Sequence, residues 1–190
     1  FFLSCNSQDQ NHQVTERREW GIGIDSAYSG SCPSLFKAKD GAVVMSWLRD
    51  ISDTQAVLCY AVSPDGKDFG STTVVPGSDN AHPHGENLPR VIKTPDGRIL
   101  AAWGASNPNP ANKYSGLVYY SWSLDNGKRW TAPQTLSKDP KSIDQRYFDV
   151  EILKDGKAAV IWLDNRKATD KEGSTLYFAT FNENNTLENE

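Results

Sequence analysis

Three times along this chain an aspartate–glycine pair is followed, six residues after the glycine, by a tryptophan that closes an apolar run. The pairs are Asp40-Gly41 with Trp47, Asp96-Gly97 with Trp103, and Asp155-Gly156 with Trp162. The glycines at 41, 97 and 156 stand 56 and 59 residues apart. A recurrence of that size marks one supersecondary unit copied and stacked, because a single copy cannot bury its own apolar face. Asp-Gly favours turns with φ > 0, so each segment reads as a hairpin whose second strand ends at the tryptophan.

The rest of each repeat falls into the same series. A first strand precedes each turn: PSLFKAK from Pro33, PRVIKT from Pro89 and FDVEIL from Phe148. A third strand follows each tryptophan after a polar loop: AVLCYAV, GLVYYSW and TLYFATF. A short fourth strand is expected near residues 72–75 and 133–136, whereas the third copy stops at Glu190 before its fourth strand is complete. From Trp20 onward no 3.6-residue stripe persists, so the chain is expected to be all-β. Four antiparallel strands per repeat make the blade of a β-propeller. The blades are expected over about 31–76, 87–137 and 146–190. Propellers close with roughly four to eight blades, so three belong to a larger ring. Self-association of short chains is the other way to close it.

Composition narrows the function classes. Of 190 residues 37% are hydrophobic, among them six tryptophans, seven tyrosines and seven phenylalanines, enough for a substantial core. No run approaches the roughly 20 apolar residues of a membrane helix. A net charge of −4 with interspersed basic residues argues against a nucleic-acid surface. An anionic ligand would therefore be held by a few placed arginines. Cys32 and Cys59 lie in apolar segments and read as buried thiols.

The start differs: Phe1-Phe2-Leu3-Ser4-Cys5 precedes a polar stretch, and residues 1–19 read as a signal remnant and flexible tether. It is similar to the end of a bacterial lipoprotein signal, in which Cys5 would be acylated; the other reading is a clipped ordinary leader. Either implies export to the cell envelope or beyond, with membrane contact only through the lipid anchor. His82, His84 and Glu86 share a loop, but Pro83 between the histidines and the lack of a fourth ligand argue against a metal. No cofactor motif is present.

One motif carries a family resemblance. Ser123-Leu124-Asp125-Asn126-Gly127-Lys128-Arg129-Trp130 follows the serine-x-aspartate-x-glycine-x-x-tryptophan pattern of the Asp-box. Ser63-Pro64-Asp65-Gly66-Lys67-Asp68-Phe69 is a shortened version in the first repeat. The aspartate is expected to accept from backbone N–H groups, the glycine to relieve φ > 0 strain, and Trp130 and Phe69 to plug gaps between blades. With Ser46-Trp47-Leu48, Asp96-Gly97-Arg98-Ile99-Leu100-Ala101-Ala102-Trp103 and Trp162-Leu163-Asp164-Asn165-Arg166, residues 20–190 resemble the bacterial Asp-box proteins of the sialidase superfamily, usually six-bladed.

That resemblance implies a site at the ring centre, on the face bearing the loops into the first strands and the loops between second and third strands. The family places an arginine in a triplet opening the first strand, as a carboxylate partner. The matching triplets are Ser31-Cys32-Pro33, Asn87-Leu88-Pro89 and Arg146-Tyr147-Phe148, so only the third repeat carries the arginine. The family's acid/base aspartate is about two dozen residues further on; Asp170 stands 24 beyond Arg146, and Asp53 is the candidate in blade one. Asp149, Asn87, His84, Arg49 and Arg166 complete the candidate substrate-binding set. Asp164 and Arg166 can alternatively pair with each other. The resemblance implies an exo-α-sialidase-like glycosidase with a tyrosine nucleophile, an exception to the two-carboxylate rule. Ser31 in place of arginine favours the other reading, a non-catalytic propeller that binds glycan or protein.

Overall fold

The computed structural model describes residues 28–167 and 173–188. They form three four-stranded antiparallel sheets, each in simple sequential order. Blade one holds β1 (Gly30–Lys37), β2 (Val43–Ser52), β3 (Gln55–Ser63) and β4 (Thr73–Val74). Blade two holds β5 (Arg90–Lys93), β6 (Ile99–Ser106), β7 (Gly116–Ser123) and β8 (Gln134–Thr135). Blade three holds β9 (Gln145–Ile152), β10 (Ala158–Asp164), β11 (Thr175–Phe181) and β12 (Leu187–Glu188). The chain is an arc of three propeller blades. Contrary to the expectation of an incomplete third blade, β12 pairs with β11 through Thr180↔Glu188 and Phe181↔Leu187.

The recurrent Asp-Gly pair makes the same turn three times. Gly41, Gly97 and Gly156 have φ of 89°, 85° and 89°, a region that glycine occupies without the steric penalty of a Cβ. Their amides donate to the carbonyls of Ala38, Thr94 and Leu153. The aspartate supplies the second lock: Asp40, Asp96 and Asp155 each accept from the backbone N–H two residues on. With the turns equal in length, the tryptophans arrive in register, as Trp47↔Cys59, Trp103↔Tyr119 and Trp162↔Tyr177.

Strand alternation then gives every blade two apolar faces. Val44, Leu48, Leu58 and Tyr60 of blade one meet Val91, Ile99, Ala101 and Trp103 of blade two. Leu100, Val118, Tyr120 and Trp122 of blade two meet Phe148, Val160, Trp162 and Phe181 of blade three. Trp103 and Trp162 are fully buried, and each stacks on the tyrosine opposite it, with centroids 6.1 and 5.5 Å apart. Burial of such side chains supplies the driving force, at about 25 cal/mol per Å² of apolar surface. Trp47 repeats the position on blade one with Met45, Cys59 and Ala61. Cys59 is buried and Cys32 half-buried, both as free thiols.

The turns between third and fourth strands lie opposite the β2–β3 and β6–β7 loops. Asp125 Oδ1 accepts from Ser123 Oγ (3.3 Å) and Arg129 N (2.7 Å), and Oδ2 from Arg129 Nε (2.6 Å). Ser123 Oγ in turn accepts from Gly127 N, and Trp130 Nε1 donates to Gly127 O. Trp130 meets the edge of Tyr60, with centroids 6.1 Å apart, so this turn staples blade two to blade one. In blade one, Asp65 Oδ1 accepts from Ser63 Oγ, Lys67 N and Asp68 N, Ser63 Oγ accepts from Gly66 N, and Phe69 packs beside Met45 and Trp47. Blade three replaces this turn with a tight hairpin in which Asn182 Oδ1 accepts from Asn184 N and Thr186 N.

The Asp-Gly turns also touch one another. Lys93 Nζ pairs with Asp40 at 2.8 Å, and Lys39 Nζ donates to the carbonyls of Leu153 (3.0 Å) and Lys154 (3.3 Å). Phe36 of β1 packs against both inter-blade cores. Blade one therefore contacts blade three as well as blade two.

Candidate functional site

The first strands of blades one and three open with the same irregularity. Pairing on β2 and β10 slips between Ser31 and Ser34 and between Arg146 and Asp149. Cys32 and Tyr147, inside those bulges, both have φ of 54°, uncommon for side-chain-bearing residues. Ser31 pairs with Leu48 and Arg146 with Leu163, the residues after Trp47 and Trp162. Ser31 thus occupies the place of Arg146, as the triplets predict. Its hydroxyl is buried with no hydrogen-bond partner among the described residues.

Blade two departs from this pattern, and the departure builds the site. Gly104 follows Trp103, where the other blades have leucine; a Cβ there would lie 3.3 Å from Asn87 Cβ. The space lets Asn87 lie against the strand, and its Oδ1 accepts the amide of Tyr147 at 2.6 Å. Asn87 of one blade therefore holds the left-handed residue of the next. The loop carrying it is tied down on its other side: Ala81 bridges Ala56 and Ala105, and Cys32 Sγ donates to His84 O at 3.6 Å.

Between this loop and β9 is a cavity of about 240 Å³, at the junction of blades two and three. It lies on the face of the loops into β5 and β9 and of the β6–β7 loop. Arg146, Asn87 and His84 line it together, with Lys113, Tyr114 and Tyr147. Arg146 is about one-third exposed and donates through Nη2 to Asp144 Oδ2 in a short contact, while Asp144 Oδ1 accepts from Gly116 N. The Asp144 hydrogen bond raises the pKa of Arg146 against the opposing effect of burial, so the guanidinium stays charged. His84 Nδ1 accepts from Glu86 N at 3.3 Å, leaving Nε2 as the N–H donor of the neutral ring. Tyr114 and Tyr147 are 87% and 43% exposed and offer open aromatic surface. No carboxylate lines this cavity among the described residues.

The other candidates are distributed around it. Asp149 lies on the row of first strands and pairs with Arg90 Nε at 2.6 Å, while Arg90 Nη1 donates to Ser34. Ser34, Arg90 and Asp149 hold equivalent register positions, opposite Ser46, Ala102 and Ile161. Arg49 covers the ring of Tyr28 at 4.5 Å. Asp53 lines a separate cavity at the junction of blades one and two. Arg166 turns inward: Nη2 pairs with Asp164 at 3.0 Å, the guanidinium lies 4.0 Å from the Tyr177 ring centre, and the side chain is 9% exposed. Of the two sequence readings of Arg166, the structure has the pair with Asp164. Asp170 and Cys5 lie outside the described residues. No cluster of metal-ligating side chains occurs among the described residues.

Beneath the cavity runs a buried polar chain that sequence reasoning missed. Gln145 Oε1 accepts from Val118 N and its Nε2 donates to Ser142 Oγ. Ser142 donates to Asp164 Oδ2 at 2.6 Å, which also accepts from Trp162 Nε1. Burial opposes ionisation of Asp164, but bonds from Ser142, Arg166 N, Trp162 and the Arg166 side chain outweigh it and hold the carboxyl below its ordinary range. The only sequence signal was a mostly polar segment, Ser142, Asp144, Gln145 and Arg146 around Ile143, entering a strand.

No known family profile and no curated protein sequence matches the chain. Solved structures do. It is similar to a protein of unknown function from Dyadobacter fermentans, with 19% identity and a TM-score of 0.52 over 86% of this chain and 54% of that one. It is similar to a Hadza microbial sialidase, with 14% identity and a TM-score of 0.57 over 85% of this chain and 37% of that one. An endo-arabinase from Bacteroides thetaiotaomicron shares 14% identity and a TM-score of 0.54 over 84% of this chain and 58% of that one. The chain spans about a third to three-fifths of the length of these structures. At such identities the likeness is one of fold: three blades of a β-propeller of the kind found in glycosidases.

Proposed function

We propose that the chain is the glycan-recognising part of an exported sialidase-like propeller, with the cavity between blades two and three as its acidic-sugar site. The observation that carries this reading is the convergence of Arg146, His84 and Asn87 on one cavity flanked by two exposed tyrosines. A guanidinium suits a carboxylate, and tyrosine faces suit the apolar side of a sugar ring. Asp144 orients Arg146 and leaves the rest of its five-donor fork for a ligand. In this reading the Ser123–Trp130 and Ser63–Phe69 turns are the structural Asp-boxes, and acylated Cys5 is the anchor.

A specific observation favours recognition without hydrolysis. Among the described residues the cavity has no carboxylate to serve as general acid, and Asp53 lies in another cavity. Hydrolysis would rest on Asp170 and on a nucleophile beyond these blades. The test is binding of N-acetylneuraminate and of an analogue lacking the carboxylate to the intact protein and to Arg146→Ala. The variant should weaken the acid by ~10- to 100-fold, as expected for loss of a charged hydrogen bond of about 1.5–3 kcal/mol. It should leave the analogue unchanged. Equal weakening of both would remove the carboxylate assignment.

A further inference from the structure

The cavity that holds Asp53 stands in the same relation to blades one and two as the Arg146 cavity does to blades two and three. Each is bounded by the loop joining second and third strands of one blade and by the loop into the first strand of the next. The first-junction cavity measures about 670 Å³ and is lined by Asp50, Asp53 and Gln55 of blade one, with His82 of the following loop. His82 also borders the 240 Å³ cavity, so the two adjoin on one face. At 240 Å³ the Arg146 cavity falls below the ~300–1,000 Å³ of most ligand sites, whereas the larger one lies within it.

Their charges are opposite. Among the described residues, Arg146 and Lys113 line the smaller cavity without a carboxylate, and Asp50 and Asp53 line the larger without a lysine or arginine. Carboxylates accept hydrogen bonds and repel an acid, so the larger cavity selects neutral, hydroxyl-rich groups. At its edge Tyr28 is 45% exposed, its ring held by Arg49, and presents a flat apolar face beside the carboxylates.

We propose that the cavity between blades one and two is a second sugar subsite, taking an uncharged sugar of the same oligosaccharide whose acidic sugar lies at Arg146. The ligand is then a glycan chain laid across two blade junctions, passing His82. This rests on the glycan reading above and adds the polarity and minimum length of the ligand.

Calorimetric titration of the intact protein tests it, with N-acetylneuraminate against the S-linked, non-hydrolysable trisaccharide that joins this acid to lactose. The trisaccharide should bind at least about tenfold more tightly, the equivalent of roughly 1.4 kcal/mol. Asp50→Ala with Asp53→Ala should abolish that advantage and leave the monosaccharide affinity unchanged, while Arg146→Ala weakens both sugars. Tyr28→Ala provides a second, independent loss of the length advantage should the double variant fail to fold. Equal affinity for the two sugars, or equal weakening of both by the Asp50/Asp53 and Tyr28 variants, overturns the second subsite and leaves the first. If wild type binds neither sugar, the glycan reading itself falls and the subsite with it.

Discussion

Removing Arg166 gives a direct test of whether that arginine serves the ligand or the fold. The side chain is 9% exposed and its partner Asp164 fully buried, so Arg166→Ala leaves a carboxylate in the interior without its counter-charge. Breaking a buried pair costs about 3–5 kcal/mol. Asp164 keeps its bonds from Ser142 Oγ and Trp162 Nε1, which places the loss near the lower bound. The Tyr177 ring under the guanidinium loses a contact worth roughly 0.5–2 kcal/mol as well. A total of about 3.5–5 kcal/mol lowers Tm by about 7–20 °C in a domain of this size, readable by circular dichroism. The pH dependence has a definite sign. The folded pKa of Asp164 lies below its unfolded value, near 3.9, so its ionised form stabilises the protein above that value. That contribution is lost as pH falls through the folded pKa, and the penalty of Arg166→Ala should shrink with it. Asp164→Asn combined with Arg166→Met should recover much of the loss at pH 7, because no unpaired charge then remains buried. An unchanged Tm in Arg166→Ala, with sugar binding lost, would refute the structural assignment.

Two further outcomes follow from close approaches. Gly127→Ala would put a Cβ 2.3 Å from Tyr60 Oη at a φ of 91°, and should destabilise by about 1–3 kcal/mol; Tyr60→Phe in that background should restore part of the loss in thermal melting. Asn87→Ala removes the acceptor for Tyr147 N, so the Tyr147 amide should exchange with solvent faster, whereas Asn87→Asp should keep it protected; equal protection in the two variants would count against the link.

Whatever depends on local turn chemistry was legible from the chain. Asp-Gly needs φ > 0 at the glycine, and a constant count from there to the tryptophan fixes which strand and face it occupies. The equivalence of Ser31 and Arg146 was readable for the same reason, since each lies nine residues before its Asp-Gly pair. Angles between blades leave no such trace. Asp53 and Arg146 both lie on the expected face, yet they belong to successive junctions. The pairing of Asp149 with Arg90 could not be read from the chain, because the two belong to different blades. Arg166 depended on which way a side chain leaves the end of a strand. Gln145 is the least legible, for its bonds to Val118 and Ser142 exist only once β7 and β9 are side by side.

The lysine clasp among the Asp-Gly turns alters how this arc should come apart. In a linear array each unit touches only its neighbours, and stability is a sum of unit and interface energies. Here Lys39 reaches from the first turn to the third, past the second, over 114 residues of sequence. Peeling blade three away must therefore also release blade one. The arc should lose its structure in a single transition rather than blade by blade, and the final clasp should form only after the chain between its ends has folded.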